Sequence, residues 1–263
     1  MRLTTIGTGT ISLTPHRACA GHLVEAGDVR LLMDCGSGVV HRMSELALDW
    51  WGITHVALTH FHADHVADLP SLVFAWKHAR LPGRTAPLVL VGPPGTRALV
   101  DRLAAAFGPW VAEPGFPFEV VELPQGGTLA LGNSTADPVT LSSRAVPHTA
   151  ESVAYSIEHG GRRVVYTGDT GWDPSLGEWA TGCDVLLCEC SLPEQWAIPQ
   201  HLTPEQCGAL AAIARPRLLA LTHLYPPVLD VDIPAAVRSR FAGDVVIAHD
   251  GWSHAREEMP CWS

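Results

Sequence analysis

The segment LTHFHADH, residues 58–65, constrains the fold and the chemistry of this chain more than any other stretch. Its side chains His60, His62, Asp64 and His65 are all of types that bind metal ions. They follow the apolar residues 56–58, which predict a short buried strand. A purely structural role would not require four such side chains at the end of one strand, so the segment predicts a metal-binding loop.

Further strands end in the same way, with a metal-ligand side chain at or just after the last apolar residue. These side chains are His148, Asp169, Glu189 and His223. Strand ends in an α/β layer converge on one edge, where binding crevices form. The sequence therefore predicts that residues far apart along the chain meet in one site.

The types of side chain indicate which metals the site would hold. Imidazole and carboxylate groups without thiolates suit Zn²⁺, Mn²⁺ or Fe²⁺ and argue against a structural zinc site. On an extended segment His60 and His62 point the same way and can hold one ion. Asp64 and His65 lie beyond a bend and can reach a second ion, and a carboxylate such as Asp169 can bridge the two. Two ions roughly 3.5–4 Å apart can hold a hydroxide between them.

The bulk composition excludes several classes of protein. The 263 residues suit a single domain over residues 1–263, and the formal charge of −10 counts mildly against nucleic acid as a partner. No apolar run is long enough to span a bilayer, and the N-terminal segment has no signal-peptide pattern, so no membrane partner is expected. The seven scattered cysteines argue against a disulfide framework and for a cytoplasmic protein. Cys188 and Cys190 are interpreted as part of a buried strand rather than as metal ligands.

Apolar, β-branched runs alternate with amphipathic stretches in a mixed order that predicts a layered α/β domain. The predicted strands span residues 3–6, 22–26, 29–34, 56–59, 88–91, 118–122, 139–146, 153–158, 163–167, 185–189, 218–222 and 245–248. The predicted helices span residues 37–47, 69–78, 95–107, 204–214 and 233–241. Thr203, followed by Pro204 and by Gln206, is a typical helix start.

The candidate ligands share the spacing of one known family: His60, His62, Asp64, His65, His148, Asp169 and His223. This pattern resembles the metallo-β-lactamase superfamily of dinuclear hydrolases, and the resemblance covers nearly the whole chain. It implies a four-layer αββα sandwich. It also implies one ion on His60, His62 and His148, a second on Asp64, His65 and His223, and Asp169 between them.

The resemblance also extends to the choice of metal and to the support of the metal loop. It assigns Asp34, in Met33-Asp34-Cys35-Gly36, a structural role behind that loop. A histidine at position 62, where di-iron members usually carry a carboxylate, favours zinc. The expected cofactors are therefore two divalent metal ions, zinc by preference and Mn²⁺ as the second choice.

One branch of the superfamily fits further residues. Glu189, followed twelve residues on by His201, is similar to the ribonuclease Z branch, in which such a glutamate orients such a histidine. A protonated imidazole can donate a proton to the leaving oxygen of a phosphodiester, and a carboxylate behind the ring holds it in place. Asp64, besides binding metal, is expected to orient the nucleophile. The N-terminal loop resembles that branch's phosphate-side loop, which makes Arg17 a candidate for contact with the substrate phosphate.

The chain departs from ribonuclease Z in one respect. Those enzymes usually carry a long arm that grips tRNA, commonly between the motifs that correspond to His148 and Asp169. Here these two residues are only 21 positions apart (148 to 169), which is enough for a hairpin alone. Lys77 is the only lysine, whereas RNA binding normally uses several basic side chains on one face. A phosphodiesterase that attacks a small or cyclic phosphodiester with a metal-held hydroxide is therefore the favoured function.

Three other functions stay open from the sequence. The first is a tRNA 3′-processing endoribonuclease, with RNA as the partner although no arm is visible. The second is a lactone or thioester hydrolase, in which His201 would matter little. The third is a metal-loaded sensing protein without turnover, which would need no proton donor.

Aromatic residues near the predicted site have two interpretations. Trp172 and Trp196 lie on loops that lead to the site and could stack on a flat part of the substrate, although packing in the core or in a lid is the interpretation that we favour. Relatives are often dimers, and apolar residues such as Trp50 and Trp51 could form a homodimer surface.

Overall fold

The structure is a computed structural model, and it describes residues 1–255. In chain order the strands are β1 (Arg2–Gly7), β2 (Gly21–Ala26), β3 (Val29–Met33), β4 (His55–Ala57), β5 (Leu88–Gly92), β6 (Phe118–Glu122), β7 (Thr128–Leu131), β8 (Val139–Ala145), β9 (Val153–His159), β10 (Arg162–Tyr166), β11 (Val185–Glu189), β12 (Leu218–Thr222), β13 (Asp244–Ile247) and β14 (Ser253–Ala255). The helices are α1 (Val39–Glu45), α2 (Ala63–Val66), α3 (Leu69–His78), α4 (Thr96–Phe107), α5 (Pro174–Trp179), α6 (Pro204–Ala214) and α7 (Ile233–Arg238).

The strands form two seven-stranded sheets. The first has the order β14-β1-β2-β3-β4-β5-β6, and the second has the order β13-β12-β11-β10-β9-β8-β7. Strands β3 to β6 are parallel to one another, as are β10 to β13. The carboxyl ends of these strands therefore lie at a common edge, where the sequence placed the candidate ligands.

Side chains of alternating direction divide the core into three apolar layers. Leu31 of β3 and Leu187 of β11 belong to the cluster between the two sheets. Their neighbour Leu32 faces outward and packs in a cluster with residues of α1 and α3, whereas Leu186 packs in a cluster with residues of α6 and α7. Helices thus cover both outer faces, and the predicted four-layer αββα sandwich is confirmed.

Most predicted elements are present, with ends that differ by a few residues. Helix α1 begins later than predicted because Gly38, at φ 88°, is in the left-handed conformation. The sequence failed to predict β7, β14, α2 and α5, which are all short. The predicted start of α6 is confirmed: Thr203 and Gln206 form a capping box.

The cysteines of the described part of the chain agree with the prediction that the protein has no disulfide framework. All six of them are free and buried, and Cys261 lies outside the described residues. Cys188 of β11 lies in the apolar cluster beneath α6, as does Cys190, which directly follows the strand. Over residues 1–255, no helix has the length and apolar character needed to cross a membrane.

A buried arginine fixes the segment that enters β4. The guanidinium group of Arg84 donates to the carbonyl oxygens of Trp51, Ile53, Ala86 and Pro87 at 2.7–2.9 Å. Its charge has no carboxylate partner among the described residues and lies over two aromatic rings. Burial lowers the pKa of this group to about 10, so it stays protonated at neutral pH.

We expect Arg84→Ala to lower the free energy of unfolding by about 3 kcal/mol, because four carbonyl groups lose a charged donor. Arg84→Lys should recover only part of this, because an ammonium group cannot span the four acceptors. Arg80→Ala is the control: that exposed arginine lies only over the Trp50 and Trp51 rings, and we expect a change below about 1 kcal/mol. Urea unfolding measures all three, and equal effects for Arg84→Ala and Arg80→Ala would contradict this account.

Candidate metal centre

Asp34 organises the loop that carries the candidate ligands. It follows β3 with a φ of 57°, an unusual conformation for a residue other than glycine. Its buried carboxylate accepts hydrogen bonds from the backbone N–H of Thr59 at 2.8 Å, from Nδ1 of His65 at 2.7 Å and from the Tyr166 hydroxyl at 2.9 Å. Because Nδ1 of His65 is the donor here, Nε2 is left to face the ligand cluster. This is the supporting role that the resemblance assigned to Asp34.

The first group of candidate ligands consists of His60, His62, His148 and Asp169, whose ligand atoms lie within 4.8 Å of one another. His60 and His62 come from the loop after β4, and His148 follows β8. Nδ1 of His148 donates to the carbonyl oxygen of Gln200 at 3.0 Å, which leaves Nε2 facing Nδ1 of His62 at 3.1 Å. Two ring nitrogens at this distance are well placed to share one cation.

The second group consists of Asp64, His65 and His223, again within 4.8 Å. His223 follows β12 at a φ of 56°, and Ser191 lies 3.0 Å from its Nδ1. Nε2 of His223 lies 3.4 Å from the Asp64 carboxylate. Two residues with a positive φ, Asp34 and His223, therefore lie at this group. Such a backbone conformation is strained, and the surrounding structure has to hold it in place.

Asp169 lies between the two groups. Its Oδ1 is 3.2 Å from Nε2 of His65 and 3.3 Å from Nε2 of His223. Its Oδ2 is 3.8 Å from Nε2 of His60 and 3.8 Å from Nε2 of His148. One carboxylate oxygen thus faces each group, which is the arrangement of a bridging ligand.

Several buried atoms of these residues lack hydrogen bonds. Among the described residues, Nε2 of His60, His65 and His223 and Oδ1 of Asp169 have no hydrogen-bond partner. Buried polar groups without partners are rare, and their convergence on one spot is the arrangement expected of a metal-binding site. Nitrogen and carboxylate donors without thiolates suit a divalent metal, so the residues fit the group that the sequence predicted.

The charges of the cluster favour the metal-binding forms of its members. Burial lowers the pKa of His60 to about 2, so that ring is neutral. Burial opposes ionisation of Asp169, but His223 and His65 hold the pKa of its carboxyl group well below the usual value. A neutral imidazole and an ionised carboxylate are the forms in which these side chains bind cations.

The predicted pair of His201 and Glu189 is formed. Nδ1 of His201 lies 3.1 Å from both carboxylate oxygens of Glu189, which is itself completely buried. The His201 ring centroid is 5.0 Å from that of His148 and 5.5 Å from that of His223, so the pair borders the ligand cluster. Burial lowers the pKa of His201, but the charge of Glu189 outweighs this and raises the pKa to about 9. His201 is therefore mostly protonated at neutral pH.

The three weaker candidates occupy different positions. Nη1 of Arg17 donates to the carbonyl oxygen of Ala248 at 2.7 Å and to the Thr8 hydroxyl at 2.5 Å, so it ties the N-terminal loop to the segment after β13. Trp172 is 41% exposed and Trp196 is 57% exposed. The sequence favoured packing of these two tryptophans in the core or in a lid; the core part of that prediction is wrong, and the lid part stays a prediction.

Two further residues lie at this edge that the sequence did not identify as part of the site. The Tyr225 ring centroid lies 5.8 Å from that of His223 and 6.1 Å from that of His201. His22, which the sequence did not single out, is completely buried, with its ring edge-on to Tyr166 at 4.8 Å, and burial lowers its pKa to about 3. The position of Tyr225 two residues after a candidate ligand was an available signal, whereas nothing in the sequence marks His22.

Comparisons with known proteins agree with this geometry. Residues 29–224 match the model of a family described as the beta-lactamase superfamily domain. An uncharacterized Mycobacterium leprae protein, ML1173, is 31% identical over 93% of this chain and 85% of its own length. A protein named Ribonuclease Z from Mycobacterium marinum is 29% identical over 95% of this chain and 96% of its own.

A solved structure supports the same conclusion. The metallo-beta-lactamase fold protein YhfI from Bacillus subtilis superimposes with a TM-score of 0.82 at 25% identity, over 96% of this chain and 98% of that one. The fold and the histidine–aspartate cluster together indicate divalent-metal binding. The chain belongs to the metallo-β-lactamase superfamily of metal-dependent hydrolases.

Proposed function

We propose that this protein is a dinuclear phosphodiesterase of the ribonuclease Z type that hydrolyses small or cyclic phosphodiesters. The observation that carries the proposal is the His201–Glu189 pair at 3.1 Å beside the ligand cluster. Hydrolysis of a phosphodiester expels an alkoxide that needs a proton, and a protonated imidazole at this position can supply it. A metal-binding protein without turnover would have no use for such a donor.

In this proposal the two groups of ligands each hold one zinc ion. His60, His62 and His148 would hold the first, Asp64, His65 and His223 would hold the second, and Asp169 has one carboxylate oxygen toward each group. The bound ions supply an activated water at neutral pH and positive charge for the phosphoryl oxygens. Mn²⁺ suits the same donors and is the second choice.

The residues of the chain have separate tasks in the reaction. Asp64, besides its part in metal binding, accepts a hydrogen bond from the attacking water and so orients it. His201 donates its proton to the leaving oxygen, and Glu189 keeps the ring charged and correctly turned. Arg17 and the backbone amides near it are the candidates for contact with the phosphate. The buried hydrogen bonds of Glu189 to the backbone N–H groups of Thr170 and Leu202 hold the carboxylate in place.

The preference for a small substrate rests on charge and on chain length. The chain carries 17 basic and 27 acidic residues, and Lys77, its only lysine, donates to the carbonyl oxygen of Pro114. The segment between His148 and Asp169 is taken up by the hairpin of β9 and β10. Support for binding along an RNA backbone is therefore weak.

A tRNA 3′-processing endoribonuclease is the second candidate. It is favoured by one observation: the relatives named Ribonuclease Z align over nearly their whole length with this chain. Incubation with a 3′-extended tRNA precursor tests it, and cleavage near the discriminator base would replace our first proposal. The predictions of a homodimer, a cytoplasmic location and a single domain over residues 1–263 stay predictions.

We expect Asp34→Asn to weaken metal binding by about 10- to 100-fold, because the amide cannot accept from both His65 and the Tyr166 hydroxyl in the way that the carboxylate does. Competition titration with a chelator measures the affinity. Asp250→Asn is the matched control, because Asp250 also accepts hydrogen bonds from backbone N–H groups but at Thr8 and Ala18. Unchanged affinity in Asp34→Asn, or equal losses in both variants, would count against the proposed role of Asp34.

The role of His201 predicts a dependence on the leaving group. We expect His201→Ala to lower kcat/KM by about 10²- to 10⁴-fold for a diester with an alkyl leaving group. The loss should be small for bis(p-nitrophenyl) phosphate, because p-nitrophenolate leaves without a proton. Metal content should not change, and His41→Ala, at an exposed histidine on α1, is the control.

The same assays distinguish phosphodiester hydrolysis from lactone or thioester hydrolysis. If wild-type protein hydrolyses lactones or thioesters but no phosphodiester, the phosphodiesterase proposal is wrong. Equal losses in His201→Ala on both diesters would instead remove the proton-donor role from His201.

The raised pKa of His201 predicts that the reaction rate falls at alkaline pH. The proton is bound below the raised pKa of about 9 and is lost as the pH rises through it. The rate with an alkyl leaving group should therefore fall above about pH 9, whereas the rate with p-nitrophenyl should not show this limit. Glu189→Gln removes the charge that raises the pKa, so the limit should move to lower pH. Identical pH profiles of kcat/KM in wild type and Glu189→Gln would contradict the pairing.

A further inference from the structure

We propose that exposed apolar residues beside His201 bind the leaving group of the substrate and select flat, uncharged leaving groups. The residues are Trp196, Ala197, Ile198 and Pro199, here called the leaving-group strip. The inference rests on the proposed function, because it takes His201 as the donor of the proton to the leaving oxygen. It adds a substrate class that the metal ligands alone do not define.

The strip is exposed and yet held in place. Trp196 is 57% exposed and Ile198 is 44% exposed. The backbone N–H of His201 donates to the carbonyl oxygen of Ile198 at 3.3 Å. The carbonyl oxygen of Gln200, which lies between the strip and His201, accepts from the His148 ring at 3.0 Å. Two apolar side chains are thus kept in water on a segment that is tied to the proton donor and to a candidate metal ligand.

The strip also packs against the loop that carries Asp169. A Cβ atom added to Gly171 would lie 1.9 Å from the carbonyl oxygen of Pro199, so the two backbones are in close contact. Gly171 also donates to the carbonyl oxygen of Pro147, next to His148. The strip is therefore continuous with the edge of the metal centre and does not stand apart from it.

Tyr225 contributes a second aromatic ring near the proton donor. Its ring centroid is 6.1 Å from that of His201 at an angle of 69°, and its backbone N–H donates to the carbonyl oxygen of Ser191 at 3.3 Å. The Tyr225 ring thus lies near the His201 ring in space, and the leaving-group strip precedes His201 in the chain.

Position and charge together identify the occupant. A group bonded to the oxygen that His201 protonates must lie beside His201, whose ring is 6.1 Å from that of Tyr225 and whose backbone is hydrogen-bonded to Ile198 of the strip. Glu194 is the only charged residue between Leu192 and Gln200. The strip itself offers no cation to an anionic leaving group, whereas a flat neutral group can stack on an aromatic ring.

The test compares two diesters, methyl phenyl phosphate and a methyl phosphate ester of a fluorinated alcohol of similar acidity. Because the two leaving groups need the proton equally, any difference reports binding of the leaving group. We expect wild-type protein to prefer the phenyl ester. Trp196→Ala should lose roughly three- to tenfold in kcat/KM on the phenyl ester and less than about twofold on the alkyl ester, mainly through KM.

Several variants make the test specific. Trp196→Phe and Tyr225→Phe keep an aromatic ring and should retain most of the preference, whereas Tyr225→Ala should reduce it. Phe107→Ala is the matched control, because Phe107 is also 57% exposed but ends α4. It should leave the preference as it is in the wild type.

The outcomes separate this inference from the proposed function. Turnover of both esters without a preference for phenyl, or a preference that survives in Trp196→Ala, would overturn the leaving-group strip alone. A preference reduced equally by Phe107→Ala would also overturn it. No turnover of either ester by metal-loaded wild-type protein would overturn the phosphodiesterase proposal, and the strip with it.

Discussion

The carboxylate of Asp169 is the point on which the rest of the structure depends. Each of its oxygens faces a different set of imidazole nitrogens, at 3.2 and 3.3 Å on one side and at 3.8 Å on the other. The side chain is almost completely buried, and a bare carboxylate at such depth is costly unless positive charge lies nearby. The histidines around it are therefore best understood as ligands of a divalent metal, with Asp169 at the centre of the cluster.

The fold explains how residues so far apart in sequence reach one carboxylate. The parallel parts of both sheets end at the same edge, and the segments after β4, β10 and β12 carry His60, Asp169 and His223 there. Behind them Asp34 connects the two sheets, because it accepts hydrogen bonds from His65 of one half and Tyr166 of the other. Buried hydrogen bonds of this kind fix the direction of ligand rings before any ion binds.

Much of the metal centre could be predicted from the sequence because its ligands stand next to strong local patterns. Apolar runs locate the strand ends, and strand ends locate the edge, so His148 and His223 are candidate ligands without any neighbouring motif, whereas their division between two ions rests on the family resemblance. The exposure of Trp196 and the place of Tyr225 beside His201 depend on how loops cross the edge, which periodicity does not report. Short elements such as α2 were missed for a related reason, since four residues are too few to show a helical period.

The most direct test of this account is a crystal structure of the metal-loaded protein with anomalous data at the absorption edge of zinc. We expect two anomalous peaks in each chain, one beside His60, His62 and His148 and the other beside Asp64, His65 and His223, with the carboxylate of Asp169 between them. A single peak, or an Asp169 side chain turned away from both histidine groups, would contradict the central claim.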